Sequence, residues 1–77
     1  MVDMREVERI RSTLGVPKSK IAKECNISVN TYDNWVSKPS MISAKNAKAL
    51  ADALMITEPK RLLAIFFAPN AQENVNI

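Results

Sequence analysis

KSKIAKECNISVNTYDNWVS, residues 18–37, sets apolar side chains at Ile21, Cys25, Ile27, Tyr32 and Trp35, with Ala22 after the first. Ile21 and Cys25 are four apart and share one helical face; Tyr32 and Trp35 do so at three apart. Ala22 is small where two helices must cross closely. Asn26 falls between the two apolar sets. It is among the few non-glycine residues that enter the left-handed region cheaply, as a tight turn requires. Ser28 then caps a second helix by accepting a backbone N–H. The stretch therefore reads as helix, tight turn, helix.

That is the layout of a helix-turn-helix, whose second helix usually enters the DNA major groove. On these residues the chain resembles the lambda-repressor-like helix-turn-helix family of phage repressors and Cro proteins. The resemblance covers roughly residues 4–56. Ile21-Ala22, Cys25-Asn26-Ile27, Tyr32 and Trp35 fall on the family's apolar, alanine, turn and core positions. Pro39-Ser40 and the helix ending Leu54-Met55-Ile56 resemble its next segment. Asn26 replaces the family's usual glycine. The resemblance implies a DNA-binding transcription regulator. The small size and lack of an effector domain look like a bacteriophage genetic-switch protein, either a Cro-like repressor or a modulator of repression.

Outward from this motif, periodicity predicts an all-α domain of five short helices. Met4, Val7, Ile10 and Leu14 make one apolar stripe over residues 3–14. Asp3 caps that helix, and Glu6 completes a capping box by position. Gly15 suits the end of the helix and Pro17 marks a break. Pro39 ends the third helix, because the residue before a proline avoids helical geometry. Ser43 caps a fourth helix through Leu54, burying Ala47, Leu50, Ala51 and Leu54. Ile42 is placed to staple against Ala47. Thr57-Glu58-Pro59 starts a fifth, Lys60 to Phe67. The expected organisation is one helix-turn-helix domain over residues 1–69 and a disordered polar tail, NAQENVNI, over 70–77.

Bulk properties agree. Seventy-seven residues make one domain, near the lower limit at which a core sustains itself without disulfides or metal. A hydrophobic fraction of 47% permits a packed core, and an aromatic fraction of 5% leaves Leu, Ile, Ala and Met to fill it. One cysteine and no histidine exclude an internal disulfide and a zinc-ligand pattern. Cys25 reads as inert core, and its lone thiol fits a reducing bacterial cytoplasm. No apolar run is long enough for a membrane span, and the N-terminus lacks a signal-peptide pattern. The net charge of +3 mildly favours an acidic partner. Residues 1–14 balance, so the excess lies on the helix-turn-helix and the segment after it. With no histidine, no nucleotide-binding glycine motif and no flanked carboxylate pair, an enzyme is not expected, nor any cofactor or metal.

The expected base-reading face is Val29, Asn30, Asp33 and Asn34. Asn makes two hydrogen bonds to adenine, and a Val methyl touches a thymine methyl. Asn30 is the best reader by position. The alternative is a plain solvated face. Arginine, the commonest guanine reader, is absent from the helix, and Asp33 would repel phosphates while accepting from a cytosine amino group. Lys18, Ser19, Ser28, Thr31, Lys38, Ser40, Ser43 and Lys45 are the expected phosphate contacts, Lys18 and Ser19 because a helix N-terminus favours an anion. They read equally as ordinary surface residues. Leu62, Leu63, Ile65, Phe66 and Phe67 exceed what one side of a terminal helix buries. They form a protein interface or else cap the core. Two functions follow. A regulator would bind double-stranded operator DNA as a homodimer held by the fifth helix. An antirepressor would use the same fold to bind a phage repressor and block its DNA binding.

Overall fold

Asp3 starts the first helix as its position predicts: its carboxylate accepts the Glu6 N–H at 3.3 Å. The computed structural model describes residues 1–67 and is helical throughout, with no strand among them. The helices are α1 (Met4–Leu14), α2 (Lys18–Glu24), α3 (Val29–Ser37), α4 (Ala44–Ala53) and α5 (Pro59–Leu62). A 3-10 turn, Pro39–Met41, joins α3 to α4, and α5 runs on into a π-helical turn, Leu63–Phe67. The expected tail, 70–77, lies outside the described residues.

The core joins faces of every helix. Met4, Val7 and Ile10 of α1 pack with Ile21 of α2, Tyr32 and Trp35 of α3, and Ala47, Leu50 and Ala51 of α4. Cys25, Leu54 and Ile56 fill the gaps between elements, and Ile42 and Ala49 pack against the cluster. Each fully buried large aliphatic side chain stabilises by roughly 1.5–3 kcal/mol. That makes this small cluster the main source of stability, since Cys25 is a free thiol.

Three expectations need correction. Leu14 continues the α1 stripe but is 55% exposed, because no element packs over the last turn of α1. The capping box is half made. The Glu6 carboxylate pairs with Arg9 instead of reaching back, and the Asp3 N–H donates to the Ile65 carbonyl at 2.7 Å. The first residues are thus fastened to the last helix, and Val2 is buried. Third, the regular fifth helix becomes a π turn. In this wider, i→i+5 turn two consecutive residues, Ile65 and Phe66, face the core. These two were expected at a protein interface; they are interior. Leu62 is half-buried, and only Leu63 and Phe67 remain outside, 58% and 44% exposed.

Candidate nucleic-acid interface

The α2–α3 corner is built as the apolar spacing requires. Ile21 and Ala22 are buried on α2, Tyr32 and Trp35 on α3. Asn26 takes φ 58°, in the left-handed region, and the Ile27 N–H donates to the Ala22 carbonyl at 2.9 Å. Ile27, half-buried, is pulled back against the core as the chain turns. Cys25 is interior, and burial pushes its thiol pKa up, which removes nucleophilic character.

Ser28 caps α3 by accepting the Thr31 N–H at 3.0 Å, and the two hydroxyls lie 3.0 Å apart. The cap fixes the angle at which α3 leaves the turn. With Tyr32 and Trp35 facing inward, Val29, Asn30, Asp33 and Asn34 are all exposed. The four expected base readers therefore share the outer surface of one helix, and Thr31 is half-buried beside them.

The expected phosphate contacts surround that helix at two places. Lys18 and Ser19 open α2, with Lys18 half-buried and Ser19 exposed. Lys38, Ser40, Ser43 and Lys45 are exposed after α3. Ser43 caps α4, accepting the Asn46 N–H at 3.2 Å, so its hydroxyl already holds one bond.

Two features of this surface go beyond the expected site residues. Lys18 donates to Asp33 at 3.0 Å, an exposed ion pair linking the start of α2 to the middle of α3. The pair offsets the negative charge that Asp33 places on the outer face and occupies the cation expected on a phosphate. The residues are fifteen apart, so only the crossing of the helices reveals the contact. Second, Val36 is as exposed as Val29, at 37% and 39%. With Asp33 between them they make an outward stripe at i, i+4 and i+7, a spacing visible in the sequence. Met41 of the 3-10 turn is exposed as well.

Beneath α3, the Tyr32 hydroxyl is buried with no hydrogen-bond partner among the described residues. Arg11, its neighbour, is engaged by Glu8 at 2.7 Å and by the Val16 carbonyl at 2.8 Å. Burial, with the Glu8 charge nearby, holds the Tyr32 phenol pKa well above its ordinary range. No group of side chains suited to a metal ion occurs among the described residues, and no helix there is long and apolar enough to cross a membrane.

The family model described as Helix-turn-helix matches residues 7–59, from within α1 to the start of α5. No curated protein and no solved structure matches the chain.

Proposed function

Because the chain belongs to the lambda-repressor-like helix-turn-helix family of DNA-binding transcription regulators, we propose that it is a phage-type switch regulator reading operator DNA with α3. The observation that carries this reading is the outer face of α3, where Asn30 and Asn34 stand exposed over a buried Tyr32 and Trp35. Asn30, in the first turn of the helix, is the principal base reader. Val29 supplies a methyl contact to thymine, and Asp33 accepts from a cytosine amino group. Lys38 and Lys45, with Ser40 and Ser43, hold the DNA backbone after α3, and Ser19 and Lys18 hold it before α3. Lys18 serves phosphate only once it parts from Asp33. The exposed Leu63–Phe67 ridge supports a homodimer, which would set two half-sites about one helical turn apart. Its place of action is the cytoplasm of a bacterial host.

A second reading, an antirepressor that binds a phage repressor, is favoured by a specific observation on the same helix. The Val29–Asp33–Val36 stripe is apolar and acidic, with no cation on α3, and it fits a basic DNA-binding surface of a protein better than it fits phosphate. A mobility shift with the DNA flanking the chain's own gene, with and without the neighbouring repressor, separates the two. A regulator retards the DNA alone and does so sequence-selectively. An antirepressor leaves it free and releases the repressor from it.

A further inference from the structure

The C-terminal half of α1, the turn joining α4 to α5, and α5 line an open groove of about 390 Å³ that shares no residue with α2 or α3. Ile10, Leu54 and Ile56 are its buried lining. Leu14 and Met55 stand at its rim, and Arg9, Thr13 and Arg61 complete it.

The rim is unusual in two respects. Met55 adopts φ 60°, a left-handed conformation that glycine takes freely and other residues do not, and it holds its side chain 83% exposed. A long apolar side chain thus stands in water at a position where it strains the backbone. The charge at the rim is also unbalanced. Arg9 is held by Glu6, whereas Arg61 makes no ion pair among the described residues, although its charge helps lower the Glu6 carboxyl pKa.

We propose that this groove docks an amphipathic segment of a partner protein, one that sets a carboxylate among large apolar side chains. The apolar side chains would pack between Leu14 and Met55 on the Ile10–Leu54–Ile56 lining, where the unbranched Met55 adapts its rotamer to the occupant. The carboxylate would take the two parallel N–H bonds that the Arg61 guanidinium offers. Among the described residues, the exposed acid set between apolar neighbours on α3 is Asp33, and Lys18 already holds it. Because the groove and α3 use different residues, the regulator keeps α3 free while a partner is bound.

The test uses the full chain, amide NMR spectra and two synthetic helical peptides. One carries leucines along one face flanked by glutamates; the other has lysine in place of every glutamate. The glutamate peptide is expected to shift Ile10, Leu14, Leu54, Met55 and Arg61, and the lysine peptide to leave them in place. Arg61→Glu and Met55→Ala, both at exposed positions, should each weaken binding at least about tenfold while the circular dichroism spectrum stays that of the parent. Equal response to both peptides, shifts confined to α3, or no groove shift at millimolar peptide overturns the proposal. Self-association without peptide, abolished by Met55→Glu, would also overturn it, assigning the groove to a second copy of the chain.

Discussion

Asn26 and Met55 hold the same left-handed backbone and each ends a helix, the Ile27 N–H donating to the Ala22 carbonyl after α2 and the Ile56 N–H to the Ala51 carbonyl after α4. Asn26 turns the chain between α2 and α3, where its short polar side chain suits the conformation. A β-branched residue there would lose about 1–2 kcal/mol, so Asn26→Val should lower the midpoint of urea unfolding, while Asn26→Gly should leave it level or raise it. Met55 makes the corresponding turn after α4, but its side chain, 83% exposed, adds nothing that glycine would lack. Met55→Gly should stabilise by about 0.5–1 kcal/mol in the same assay, and a loss of stability would show that Met55 packs within the domain. Tyr32 carries a third residue-scale prediction. Its unpartnered hydroxyl contributes no hydrogen bond, so Tyr32→Phe should be neutral or stabilising by up to ~1 kcal/mol. Its folded pKa is raised, so the protonated phenol is favoured by folding. That contribution is whole below the ordinary tyrosine value of about 10 and is lost as pH climbs above it. Denaturant titrations from pH 9 to 11 should show stability falling in the parent and falling less in Tyr32→Phe. Asn26 as the turn residue was legible beforehand, because few residues suit that conformation. Met55 was not, since nothing in its chemistry announces a positive φ.

Among elements, α3 was the most legible and α5 the least. The three-residue spacing of Tyr32 and Trp35 fixes which face of α3 is buried, and everything else on that helix is then outside. Trp35→Ala should accordingly cost roughly 3–5 kcal/mol in chemical denaturation. The fifth helix offered five large apolar residues within Leu62–Phe67, and spacing alone does not divide them. The π turn divides them, sending Ile65 and Phe66 inward and leaving Leu63 and Phe67 out. The consequence is a contrast between neighbours. Phe66→Glu buries a charge and should unfold the domain, whereas Phe67→Glu should keep the helical content. Sedimentation should show that Phe67→Glu weakens self-association; a Phe67→Glu chain as associated as the parent would remove the ridge from any dimer.

At the scale of the whole molecule, the excess positive charge lies on the helix-turn-helix and the segment after it, while residues 1–14 balance their charges. The fold and the surface that α3 presents followed from periodicity and from caps at Asp3, Ser28 and Ser43, all of which the structure contains. The Lys18–Asp33 pair and the α1–α5 groove did not follow, because both depend on how distant elements cross. If Lys38 and Lys45 hold phosphates, Lys38→Ala and Lys45→Ala should each reduce the salt slope of DNA binding by about 1 without changing sequence preference. Operator reading by α3 is tested most directly by selecting duplexes from a randomised pool with the parent chain and with Asn30→Ala. The parent should enrich a two-half-site motif with centres about one helical turn apart. Asn30→Ala should relax one position in each half-site, a loss of about 1–3 kcal/mol there. A parent chain that enriches no motif, or an Asn30→Ala chain that enriches the same motif undiminished, would contradict it.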